Sequence, residues 1–143
     1  MSFLVDVVDG LAELLAANGA GTYQPDGIYA AGETAITDTV MPDAPDRVIC
    51  LTAYAGTESA AVTDTTVFVQ VRTRAGLDPR DVAALDDQVF AVLHAAGPLD
   101  LNGHPVALIY RASAASLGAD ATGRFERTSN YQIRANRAQP NLD

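Results

Sequence analysis

The sequence predicts an α+β fold, a mainly antiparallel sheet with two helices packed on one face. Three observations predict it. Apolar residues recur at helical spacing in two separate stretches. Several other stretches alternate with the two-residue period of a half-buried strand, most plainly "TTVFVQVRTR" and "RFERTSNYQIRAN". Between these lie turn signals of the hairpin type, such as Asn102-Gly103. With 143 residues, the chain is predicted to be one domain, residues 1–143, since it is too short for two ordinary ones.

In order, Phe3, Leu4, Val7, Val8, Leu11, Leu14 and Leu15 make Ser2 to about Ala17 an amphipathic helix, with Ser2 as N-cap and Asn18-Gly19 as its stop. Gly10 in its middle weakens the helix or permits close packing. Residues 18–46 are rich in Gly, Pro, Asp and Thr and read as a long irregular loop with a short strand near Ile28 to Ala30. "RVICLTAY" reads as a buried strand that pairs, through a turn, with the strand of Val67, Val69 and Val71. Those valines share one face. Phe68, Gln70, Arg72 and Arg74 share the other, predicted to be uncovered. The second helix follows, with Asp78 as N-cap, Pro79 as first helical residue and Asp81 in the first turn. Val82, Leu85, Val89, Val92, Leu93 and Ala96 form its apolar stripe. A hairpin at Asn102-Gly103, a loop over "AASLGADATG", a last strand from Arg124 to Asn136 and a frayed tail at about 137–143 complete the chain.

The formal net charge is −9, and all nine cationic side chains are arginine. Residues 1–46 carry acidic groups and no arginine; every arginine lies from Arg47 onward. Binding to nucleic acid draws most of its strength from cationic contacts with phosphate, so this balance argues against long-range attraction to nucleic acid, although a surface past which DNA moves without adhering is compatible with it. Absence of lysine reflects either composition bias or use of arginine's planar fork at interfaces. No apolar run is long enough to span a bilayer, and the N-terminal stretch carries Asp6, Asp9 and Glu13, against a secretory signal. Synthesis in the cytoplasm of the producing host is expected.

Little in the sequence points to catalysis, a cofactor or a metal. His94 and His104 have no second histidine or cysteine at ligand spacing. Cys50, the single cysteine, lies in an apolar strand and reads as a small core residue. The "GAG" at Gly19 to Gly21 lacks a Walker lysine and a strand–glycine–helix context. Neighbouring carboxylates in "LDD", Leu85 to Asp87, read as a solvated helix face. The arginines on strands admit two readings: a solvated open face, or forks that meet acidic side chains of a neighbouring copy. On the second reading Phe68, Arg72, Arg74, Arg111, Arg124 and Tyr131 are the candidate subunit-interface residues.

"VFVQVRTRAGLDPRDVAALDDQVFAVLHAAG" followed by "SLGADATGRFERTSNYQI" resembles tail terminator proteins of long-tailed bacteriophages, including those called minor capsid proteins. The resemblance rests on the Val69 to Arg72 strand core, the helix after it, the Leu117 to Asp120 loop, and the words at Gly123 to Glu126 and Ser129 to Tyr131. It covers about Arg47 to Arg134, and none of its words is tied to an active site. It implies a non-enzymatic virion protein of the tail or neck. Such a protein forms a ring, commonly a hexamer, that caps the tail tube and joins it to a head-side connector or stopper protein. Genome DNA would pass through without specific binding, no membrane is involved, and the partners are further copies, the tube protein and the connector. Another neck or tail-completion ring protein is the sibling reading. A small cytoplasmic enzyme, a ligand-binding domain or a regulatory adaptor are readings from other classes.

Overall fold

The computed structural model describes residues 2–141; Leu142 and Asp143, the end of the expected frayed tail, lie outside the described residues. Two helices, α1 (Phe3–Ala17) and α2 (Pro79–Leu93), lie on one face of a seven-stranded sheet. In chain order the strands are β1 (Thr22–Tyr23), β2 (Thr34–Asp38), β3 (Arg47–Thr57), β4 (Asp64–Arg74), β5 (Leu99–Leu101), β6 (His104–Ala119) and β7 (Phe125–Asn136). Their spatial order is β1-β2-β3-β4-β7-β6-β5. The fold is α+β, as the periodicities predict.

Both helices begin at their predicted caps. Ser2 Oγ accepts from Val5 N–H, and Asp78 Oδ1 accepts from Arg80 N–H at 2.9 Å. Helix α1 ends at Asn18, followed by Gly19 at φ +78°. Gly10 is the packing device its position suggests. A Cβ built there would stand 2.9 Å from Leu101 Cβ, so its absence lets β5 lie directly against α1. The core is formed by Leu11, Leu15, Ile49, Leu51, Val67, Val69, Val71, Leu85, Val89, Ile109 and Ile133, all essentially inaccessible to water. The valine face of β4 therefore packs under the helices. Burying side chains of this size contributes about 1.5–3 kcal/mol each before conformational entropy opposes it.

Three predicted details are corrected. Ile28 to Ala30 form no strand; the strands of the long loop are β1 and β2, which run parallel to each other and to β3. In "TAITD" Ala35 and Ile36 face opposite sides and both are buried, so pairing with β3, not a period-two pattern, makes this segment a strand. Secondly, "AASLGA" is strand, not loop. It extends β6 to Ala119 and pairs with Phe125 to Ser129 of β7 despite a register shift between Ser116 and Gly118, and the turn shrinks to Asp120–Arg124. Thirdly, the second face of the sheet is uncovered only in part. Tyr29 and Met41 pack over Ala35, Val48 and Cys50 there, and burial pushes the Cys50 thiol up from its ordinary pKa. The Tyr29 hydroxyl donates to the Ile36 carbonyl at 2.7 Å and accepts from Gln24 N–H at 2.9 Å, fixing the loop to the strand beneath it.

Candidate subunit-interface surfaces

The cationic side chains of the sheet are largely engaged within their own chain. Arg74, only 2% exposed, donates from Nε to the Asp46 carbonyl at 2.9 Å and from Nη2 to the Pro45 carbonyl at 2.7 Å. Burial, followed by the positive charge of Arg124 nearby, pushes its pKa down. Arg124 donates from Nη1 to the Asp43 carbonyl at 2.6 Å and from Nε to Asp120 Oδ2 at 2.9 Å. Burial opposes ionisation of Asp120. The N–H groups of Arg124 and Thr122, the Thr122 hydroxyl and the Arg124 guanidinium outweigh it and hold that carboxyl at about 2. Arg47 joins the set by donating to Thr34 Oγ1 at 3.0 Å. The arginine-free N-terminal third and the arginine-bearing sheet are thus complementary within one subunit, where they fasten the 39–46 segment to the sheet.

Arg72 is the more available member of the rail. It pairs with the buried Glu126 across the strand, yet 44% of its side chain remains exposed. Phe68 is half-buried, its ring edge-on to Tyr54 at 5.5 Å between centroids, a favourable aromatic geometry. These two residues lie on the open face with Gln70, Asn130 and Gln132.

Arg111 and Tyr131 lie on the opposite, helix-bearing face. Tyr131, expected at a subunit interface, is 1% exposed and belongs to the core of its own chain, because its cross-strand partner is Val69. Burial and then the neighbouring Asp86 carboxylate push its hydroxyl up from the ordinary pKa. Arg111 stacks on Phe90, its guanidinium carbon 4.3 Å from the ring centroid, and donates to Asp86 Oδ2 at 3.3 Å. Its backbone N–H donates to His94 Nδ1 at 3.1 Å.

Asp86 corrects the reading of "LDD" as a solvated face: it is 2% exposed. Its Oδ1 accepts from the Ser129 hydroxyl at 2.8 Å, and Oδ2 lies 3.5 Å from Arg127 Nε as well as near Arg111. Helical spacing from Val82 and Val89 brings Asp86 onto the inner side of α2, a signal that the adjacent Asp87 obscures. A second buried carboxylate, Asp6, joins α1 to the β5–β6 hairpin through His104 Nε2 at 3.0 Å. Both clusters bond one element to another, and among the described residues no group of histidine, cysteine and carboxylate side chains could hold a metal ion.

A concavity of about 670 Å³ is an open groove at the end of the sheet between the β3–β4 turn and the β5–β6 hairpin. Val62, Pro98, Leu99, Pro105 and Val106 give it an apolar floor, and Glu58, Asp64 and Arg134 stand at its margin. Neither buried carboxylate cluster opens into it.

A family model described as "Bacteriophage tail terminator protein" matches residues 14–137. The chain belongs to the bacteriophage tail terminator family. No curated protein matches the sequence. The match extends well N-terminal of Arg47, where the resemblance in the sequence begins, and takes in the long loop and every strand of the sheet. As a tail terminator the protein is a structural component of the phage tail, and the electrostatic clusters described above serve its architecture. No helix among the described residues is long and apolar enough to cross a membrane.

Proposed function

We propose that the protein caps the tail tube as a homo-oligomeric ring, commonly a hexamer in proteins of this kind, and joins the tube to the head-side connector without chemical catalysis. Membership of the tail terminator family over residues 14–137 carries this reading. The anatomy of the subunit is compatible with it. The helices cover one face, the other presents polar and aromatic side chains together with Arg72 and Arg134, and the buried ionic groups join elements of one chain. A ring needs two different surfaces on opposite sides of each subunit, meeting head to tail around an axis. Such a protein terminates growth of the tube by occupying the end to which the next ring of tube protein would add.

The test is electron microscopy of particles assembled without the protein. Tubes several-fold longer than normal and unattached to heads are the expected outcome. Tails of normal length joined to heads would refute the role.

A further inference from the structure

Among the described residues, besides the outer edges of the short strands β1 and β5, a longer stretch of strand edge on each side of the sheet has no partner. On the outer side of β3, β2 accompanies the strand only as far as Leu51, whose carbonyl accepts from Thr39 N–H at 2.8 Å. Among the described residues no strand lies alongside Thr52 to Thr57 on that side. On the outer side of β6, β5 and the Ala96–Ile109 bridge occupy the edge as far as Ile109, and His94 takes the N–H of Arg111. Beyond it Ala112 to Ala119 have no strand alongside. Neither free edge contains a lysine, an arginine, a carboxylate or a proline, the usual devices that blunt an exposed edge. The register shifts at Arg111/Ser113 and Ser116/Gly118 are bulges, which are common at sheet edges and barrel rims.

We propose that these two edges pair with each other between neighbouring copies, β6 of one subunit adding antiparallel to β3 of the next, so that the sheets join into one closed wall. The inference rests on the ring reading and specifies its subunit contact. Polarity supports it. Strands β3, β4, β7 and β6 are successively antiparallel, so β6 runs opposite to β3, and a neighbour related by rotation presents β3 in the direction an antiparallel ladder requires.

The stagger supports it independently. Through the register Ala115–Thr128–Arg72–Cys50, the middle of the free β6 edge is level with Cys50, whereas the middle of the free β3 edge is near Ala55. Bringing the two middles together shifts each copy by roughly five residues, about 17 Å along the strands, for about 19 Å of travel across four strand spacings. The strands then tilt about 40° from the ring axis, within the range of closed barrels of roughly 35–45°. The covered portions interlock as well. Ala119 at the end of β6 then lies opposite Leu51, where the neighbour's β2 ends at Asp38, and Thr57 at the end of the neighbour's β3 lies opposite Ser113, beyond the Ala96–Ile109 bridge, so each free edge is filled by the other.

The hand of the stagger fixes which face looks inward. Leu51 bonds toward β2, so the odd residues of β3 address β2 and the even ones, which lie on the open face, address β4. For L-residues this places β6 to the right of β3 when the open face is viewed with β3 pointing up. The stagger then lowers each successive copy in that view. Strands coil right-handed around a closed sheet, following their own twist. That hand is obtained only with the helices outside and the open face toward the axis. The lumen would be lined by Tyr54, Phe68, Gln70, Tyr110, Asn130 and Gln132, with Arg72, paired to Glu126, and the exposed Arg134 as the cationic side chains among them.

Crosslinking in purified particles tests the pairing. In a Cys50→Ser background, Ala55→Cys and Ala114→Cys place one thiol on each edge, both on the helix side. With a short bismaleimide the double variant is expected to give a ladder of linked subunits, and each single variant none. Linked dimers from a single variant, which mean that like edges meet, overturn the proposal, as does a double variant present at the neck without linkage. Particles assembled normally without the protein would instead remove the ring reading itself. Should the variants fail to fold, hydrogen exchange of the unmodified protein decides the matter. Amides of both Thr52–Thr57 and Ala112–Ala119 are expected to exchange at least about tenfold more slowly in particles than in the free subunit; unchanged exchange at either edge overturns the pairing.

Discussion

Arg74→Met is expected to destabilise the domain by about 3 kcal/mol, read from the midpoint of urea unfolding at constant slope. The guanidinium is buried and its two donors satisfy the carbonyls of Pro45 and Asp46, which no other backbone or side-chain group reaches. Truncation leaves both acceptors facing an apolar side chain, and each unsatisfied acceptor costs about 1–3 kcal/mol. Arg72→Met provides the contrast. Its side chain is 44% exposed and an ion pair with that much access to water is worth about 1 kcal/mol or less, although the buried Glu126 it leaves behind adds to the loss. Reversing both charges is therefore expected to unfold the subunit rather than merely block its assembly, the Arg74 side chain being responsible. Equal, small effects of the two single substitutions would show that the 39–46 segment is held by something other than Arg74.

Asp86→Ala is the second large expected effect, a loss of about 3 kcal/mol in the same measurement. Removing this carboxylate takes the acceptor from the Ser129 hydroxyl and the counter-charge from Arg111 and Arg127 at once. Removing Arg127 alone, a side chain 30% exposed at the rim of the cluster, is expected to cost about 1 kcal/mol, because Arg111 still neutralises the carboxylate. An Arg127→Ala loss as large as that of Asp86→Ala would mean that the cluster is not organised around the carboxylate. Asp86 lies on α2, and Arg111 and Tyr131 on the sheet face it, so these variants test how the helix layer is attached to the sheet.

Much of this fold can be read from the sequence because local signals and burial agree. Helix α2 is an example: Asp78, Pro79 and Asp81 set its start, and a single apolar stripe sets its inner side. Strand β4 is another, with its valines inside and Gln70 and Arg72 outside. The exceptions share a cause, namely partners distant in the chain. β2 is a strand only because β3 lies beside it, and its five residues carry a pattern too short to distinguish from loop. In "AASLGA" the alanines, serine and glycine have little strand preference, and pairing with β7 decides their conformation. Arg74 looks like its neighbour Arg72 in sequence; the difference between them is the loop that folds over one and not the other. Tyr131 alternates with polar residues on both sides and resembles an interface aromatic until its register against Val69 is known. The free edges, finally, are a property of spatial strand order, which sequence periodicity does not encode.

Density for the head–tail junction of the mature particle, at a resolution that separates strands, tests the central claim most directly. The expected result is a single ring of this chain seated on the last ring of the tube, its helices outward and its sheets continuous from subunit to subunit. Finding the chain elsewhere in the particle, or a ring whose subunits meet through their helices with β3 and β6 still unpaired, would contradict it.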